Sequence, residues 1–156
     1  MSACAKTEIV AFDALGVERL YEVLRLRSAV FVVEQDCVYQ DLDGLDQDAL
    51  HVLTTDQRGL VAYTRLLAPQ HAHQESDHAG GCAIGRVIVS AQARGVGHGR
   101  AIMQVSIGEC QRRWPGVDIV LHAQSYLLDF YGSLGFVVEG EEFLEDGIPH
   151  RVMRLV

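Results

Sequence analysis

The chain has 156 residues, a formal net charge of −8, 49% apolar and 22% charged residues, which suits a single domain spanning residues 1–156 with one sizeable core. The acidic balance argues against a nucleic-acid partner, no apolar run approaches bilayer-crossing length, and the N-terminus MSACAKTE lacks a basic-then-apolar secretion pattern. Cys4, Cys37, Cys82 and Cys110 show no C-x-x-C spacing, which argues against a zinc knuckle or thioredoxin-type motif and fits a reducing, cytoplasmic setting.

Residues 8–12 read as a short strand closed by Asp13 and Gly16, and residues 17–33 as a helix with Leu20, Leu24, Arg27 and Phe31 on one face. Val30 to Val33 are poor helix formers, so the helix is expected to loosen there into an extended segment that walls a substrate. Residues 34–48 carry Glu34, Asp36, Asp41, Asp43, Asp46 and Asp48 with no Lys or Arg between them. That run reads as a solvated loop or, more sharply, as an electrostatic funnel for a cationic amine. Residues 49–55 and 60–68 are apolar runs around Asp56-Gln57-Arg58-Gly59, a hairpin signal. Residues 69–81 form a polar loop whose His71, His73, Asp77 and His78 are metal-ligating types. Nothing else supports an ordered ligand shell, and no metal is expected.

The organising stretch is residues 82–113. Residues 83–89 form a β-branched run suited to a buried strand. Gly95, Gly97 and Gly99 then alternate with Val96 and His98, and Gly99, Met103, Ser106, Ile107, Cys110 and Trp114 recur at helical spacing. The helix therefore opens inside the glycine loop, where free amides and the positive dipole end attract an anion, most often a phosphate. Cys82 and Cys110 fall on apolar faces and read as core.

Trp114-Pro115-Gly116 stops the helix, residues 117–123 are a further strand, and QSYLLDFYGSLGF (residues 124–136) a short helix. Strands begin at Val137 and at Ile148 around the turn Glu145-Asp146-Gly147. The order is strand, helix, three strands, helix, strand, helix, two strands. It describes an α/β fold with a mixed central sheet.

The glycines fit neither a dinucleotide fingerprint nor a P-loop, since G-x-G-x-G is followed by Arg100-Ala101. Arg94, Gly97 and Gly99 spell R-x-x-G-x-G, which resembles the pyrophosphate loop of the GNAT superfamily of acetyl-coenzyme A-dependent N-acyltransferases. A second stretch resembles that superfamily's N-x-x-A-x-x-x-Y-x-x-x-G-F. Tyr131, Gly135 and Phe136 match, while Gln124 replaces Asn and Leu127 replaces Ala. Over nearly the whole chain the resemblance is to the ElaA-like branch, through LRLRSAVFVVEQ, DLDGLDQDALHV, IGRVIVS, ARGVGHG and EEFLEDGIPHRVMR.

The resemblance implies the GNAT fold, with helices flanking a mixed sheet whose central strands splay to admit a thioester. It implies acetyl-coenzyme A as cosubstrate, bound by Val87, Ile88 and Val89 along the strand, by Arg94, Gly95, Val96, Gly97, His98, Gly99 and Arg100 in the loop, and by Gln124. A small-molecule primary amine would then attack the acetyl carbonyl directly, with Tyr131 protonating the leaving thiolate. Glu34, Glu145, His51 and His150 are the candidate bases. A homodimer stays open. The alternatives are an acyl-homoserine-lactone-synthase-like acyltransferase, similar through the first third only, and a coenzyme-A-binding regulator without turnover.

Overall fold

The computed structural model describes residues 4–72 and 80–156. His73, Asp77 and His78 of the histidine-rich loop lie outside them. Among the described residues, seven strands form one sheet in the order β1-β2-β3-β4-β5-β7-β6. They are β1 (Lys6–Ala11), β2 (Leu50–Asp56), β3 (Gly59–Leu67), β4 (Gly81–Val89), β5 (Asp118–Gln124), β6 (Val137–Glu145) and β7 (Ile148–Leu155). Only β4 and β5 run parallel, and the crossover between them is α3 (His98–Arg113). The remaining helices are α1 (Phe12–Arg27), α2 (Pro69–Ala72) and α4 (Leu128–Gly132).

Alternation along β3 divides the core between two faces. Ala62 and Leu66 turn toward α3, where they pack with Ile102, Met103, Cys110, Cys82 and Ile84. Thr64, on the same face, is satisfied by the Ser106 hydroxyl at 2.7 Å, which also donates to the Ile102 carbonyl. Tyr63 turns the other way, into a cluster with Leu15, Val23, Val30, Leu53 and Ile88 beneath α1. Cys82 and Cys110 are core residues, as their apolar positions require.

Two helical segments differ from expectation. Helix α1 kinks at Gly16, whose φ of +76° lies in the left-handed region, and its main run follows that residue. Beyond Arg27 the chain does not become extended. It widens into a π-helical turn over Ser28–Glu34, with Gln35 and Cys37 amides donating to the Val30 and Val32 carbonyls, each at 3.1 Å. The wide turn lets β-branched residues stay helical while Val30 points inward and Glu34 outward. Residues 124–136 split into a 3-10 turn, Ser125–Leu127, followed by α4.

Candidate active site

Strands β4 and β5 pair only at Gly81–Asp118, Cys82–Ile119 and Ala83–Val120, then diverge. Gly81 permits the close start of this fork, since a Cβ there would meet the Asp118 carbonyl oxygen and Val120 Cγ2 at 2.8 Å. Past the fork lies a cleft of about 1130 Å³. Its walls are the second halves of β4 and β5, the π-helical turn, the glycine loop, α4 and the β6–β7 turn.

On the β4 wall the β3 register shifts between Tyr63 and Arg65, so that Arg86 and Val87 face Thr64 alone. This is a bulge, and Arg86 takes a left-handed φ of +52°, unusual for a side-chain-bearing residue. Val87 and Val89 line the cleft; the Ile88 side chain is packed in the α1-side core, leaving its backbone to the cleft.

The glycine loop closes one end. Gly97 caps α3 at φ +94°, and a Cβ there would meet nothing within 4 Å. The first helical hydrogen bond runs from the Ala101 amide to the Gly97 carbonyl, so α3 itself uses none of the earlier amides. Gly95, Gly97, His98, Gly99 and Arg100 line the cleft, while the exposed Val96 side chain does not. Left-handed glycines, open space and amides at a helix start fit a diphosphate. Arg94 donates to both Glu34 oxygens and, through Nε, to the Val89 carbonyl at 3.0 Å. The Arg94–Glu34 hydrogen bonds and the Arg94 charge, outweighing a small burial effect, hold the Glu34 carboxyl below its ordinary value. Arg100 bonds the Ser133 hydroxyl.

Tyr131 sits deeper. Its ring packs edge-on against Phe130 and Phe136, at 5.1 and 6.3 Å between centroids, yet the residue also lines the cleft. Its hydroxyl makes no hydrogen bond to the described residues, and burial, helped by Tyr126, pushes its pKa up. Gln124 ends β5 on the same wall.

At the opposite end Glu145 lies 2.9 Å from His122 Nδ1 and 3.5 Å from His150 Nε2. His51, the other histidine considered as a base, is fully buried away from the cleft. Its Nε2–H donates to the Asp46 carbonyl at 2.9 Å and its Nδ1 accepts from the Tyr63 hydroxyl at 2.7 Å. Burial pushes its pKa down, and both ring nitrogens are occupied, so it serves the structure.

The acidic segment is neither a solvated loop nor a funnel, because arginines from three other elements neutralise it. Arg27 and Arg65 have no solvent exposure. Arg27 donates to Asp41 Oδ2 at 2.9 Å and Asp46 Oδ1 at 2.6 Å; Arg65 donates to both Asp43 oxygens and to Asp46 Oδ1 at 3.0 Å. Arg86 reaches Asp41 Oδ1 at 2.9 Å and Asp43 Oδ2 at 3.3 Å. Three carboxylates, buried at Asp41 and Asp46 and nearer the surface at Asp43, meet three guanidinium groups, and the loop becomes a fixed wall. Sequence reasoning missed His122 as a cleft residue, and it read Arg86 only as strand backbone along the cleft, not for its side chain. The signal for Arg86 is a charged residue inside an apolar strand run.

A family model described as an acetyltransferase (GNAT) domain matches residues 15–156. The ElaA protein of Escherichia coli is 44% identical over 138 residues, covering 87% of this chain and 86% of the relative. Its crystal structure superposes with a TM-score of 0.87 at 39% identity, covering 97% of this chain and 99% of that one. An acyl-CoA N-acyltransferase from Pseudomonas aeruginosa superposes at 0.89 with 39% identity over 98% of this chain and 100% of that one. A CoA-dependent acyl-homoserine lactone synthase, BjaI, gives 0.77 at 16% identity over 98% of this chain and 84% of that one, a likeness of fold alone. With a forked β4–β5 pair, a left-handed glycine loop at the start of α3 and sequence identity across most of its length, the chain belongs to the GNAT acyltransferase family, in its ElaA-like branch.

Proposed function

We propose that the protein transfers an acetyl group from acetyl-coenzyme A to a small primary amine by direct attack within the β4–β5 cleft. The observation that carries this reading is the fork itself, which opens between a diphosphate-type loop and a carboxylate-bearing far end. The thioester supplies the activated acyl group. Amides of the loop from Gly95 to Arg100 take the diphosphate, each charged hydrogen bond worth roughly 1.5–3 kcal/mol. The backbone of Val87, Ile88 and Val89 is available to the amides of the cofactor's arm, as in the addition of a strand. The bulge at Arg86 and Val87 takes backbone out of the ladder, which supports an amide there polarising the carbonyl oxygen. Tyr131 gives its hydroxyl proton to the departing sulfur.

At the acceptor end Glu145 supplies negative charge for an ammonium group. Glu34 is the poorer candidate base, because Arg94 holds both of its oxygens; its role in this reading is to orient Arg94 beside the loop. The four cysteines are unbridged, which suits the cytoplasm. No helix among the described residues is long and apolar enough to cross a membrane.

The test is to supply acetyl-coenzyme A with a panel of primary amines and follow free thiol and acetylated product. Thiol release that depends on an amine, with matching product, supports the reading. Tight binding of acetyl-coenzyme A without amine-dependent release across the panel would favour a binding module without turnover.

A further inference from the structure

The acceptor end holds a three-residue cluster whose protons can be counted. The register sets His122 opposite Val152, His150 opposite Phe143 and Glu145 opposite Ile148. With alternation along β6 and β7, His122, His150, Phe143 and Glu145 therefore share one face of the sheet. Phe143 packs edge-on to His122 at 5.3 Å and stacks on His150 at 6.1 Å, which fixes both rings.

His122 Nδ1 lies 2.9 Å from Glu145 Oε1. A carboxylate only accepts, so Nδ1 carries the hydrogen and the neutral ring keeps its lone pair at Nε2. His150 Nδ1 lies 2.7 Å from the Ile148 carbonyl, which also only accepts, so its hydrogen is assigned there as well. Its Nε2 then faces Glu145 Oε2 at 3.5 Å. Glu145 is thus a carboxylate that orients the His122 ring through a hydrogen bond, while His150, oriented by the Ile148 carbonyl, stands beside it. Burial alone would raise its pKa, but the His122 hydrogen bond, with the positive charge of Arg86 nearby, holds it below the ordinary carboxylate value. A carboxylate so held is a poor proton acceptor, whereas an imidazole backed by a carboxylate is a good one.

We propose that His122 is the catalytic base that takes the acceptor's proton, with Glu145 as its positioning residue; the assignment rests on the acyl-transfer reading above. One N–H bond of the ammonium breaks, its proton goes to His122 Nε2, and the nitrogen lone pair attacks the acyl carbon. Glu145 stabilises the imidazolium, and the proton then leaves to solvent. The second proton lost from nitrogen replaces the one Tyr131 gives to sulfur as the C–S bond breaks. Among the described residues, the charged and titratable groups around this centre include Arg86 on β4, Asp146 on the β6–β7 turn, and Tyr39 and Cys37 on the loop before β2.

Two measurements test the assignment. Long-range proton–nitrogen correlation spectra of the ¹⁵N-labelled protein should show His122 in a single tautomer protonated at Nδ1, and Glu145→Gln should abolish that preference. A tautomer protonated at Nε2, or one indifferent to Glu145→Gln, overturns the proposal. His122→Asn keeps a donor near the Nδ1 position but removes the base. With acetyl-coenzyme A and the amines that turn over, kcat of His122→Asn at neutral pH should fall by about 10²–10⁴-fold, with acetyl-coenzyme A affinity unchanged by calorimetry. The deficit should close at high pH, where the amine arrives unprotonated, while a deficit constant across pH marks a structural role and overturns the assignment. If no amine turns over with the wild type, the acyl-transfer reading falls and the base assignment falls with it. If amines turn over and only the pH rescue fails, the base assignment alone is lost.

Discussion

Replacing Asp46 by Asn changes one charge at the centre of the arginine–aspartate network and keeps its shape. Asp46 Oδ1 accepts from Arg27 at 2.6 Å and from Arg65 at 3.0 Å, and both arginines are fully buried. With the substitution, three guanidinium groups face two carboxylates. Removing one partner of a buried pair costs about 3–5 kcal/mol. Arg27 keeps Asp41 and Arg65 keeps Asp43, which points to the lower end, about 3 kcal/mol. Against a typical stability of roughly 5–15 kcal/mol, that lowers Tm by about 6–12 °C for a chain of this size. Urea unfolding followed by circular dichroism is the assay. The midpoint should drop with an unchanged slope, while Asp48→Asn, outside the network, serves as the control. A loss of unfolding free energy below about 0.5 kcal/mol would refute the argument and return the segment to the status of a solvated loop.

Acid should weaken the same network. Burial alone would raise the Asp43 pKa, but the hydrogen bond and charge of Arg65, with Arg86 behind it, bring it down to about 2. A depressed carboxylate contributes stability that is complete above its unfolded pKa of about 4 and is lost as pH falls toward 2; Asp43→Asn should flatten stability over that window, as read by urea midpoints. Gly97→Val forces a β-branched residue to φ +94° and fills open space at the loop. It should cost about 1–3 kcal/mol of stability but abolish acetyl-coenzyme A binding, and a wild-type calorimetric titration would sink the loop assignment. Tyr131→Phe removes a hydroxyl with no partner among the described residues, so Tm should hold within a few degrees while kcat falls about 10²–10⁴-fold. Unchanged turnover, or a collapse in melting temperature, would end the general-acid role.

Much of this was legible because the informative signals were local. Hairpin turn, glycine loop, strand periodicity and the Tyr131–Phe136 stretch each occupy a few consecutive residues. The element order followed from them, and the R-x-x-G-x-G loop lies where it was expected, at the start of α3. The acidic segment misled because its counter-ions come from positions 27, 65 and 86, none of them neighbours in sequence. Arg27 did carry a hint, since it shares a helix face with Leu20, Leu24 and Phe31, and a charge on an apolar stripe needs a buried partner. The His122–Glu145–His150 cluster depends on β5–β7–β6 pairing, a register that no local pattern specifies. The π-helical turn was missed because poor helix propensity over Val30 to Val33 reads equally as an extended chain.

The arginine at position 65 also guards the alignment of the sheet. Its neighbours Thr64 and Leu66 face α3, so Arg65 meets its carboxylates only because β3 is in this one alignment with β2 and β4. Sliding β3 by a single residue would turn the guanidinium toward Ile102 and Met103 and strand Asp43 and Asp46 without it. A mispaired sheet would bury a bare cation in hydrocarbon, an error far more costly than any lost apolar contact. The network therefore acts as proofreading for strand alignment, and its loss should show up as slower, more heterogeneous refolding as well as lower stability.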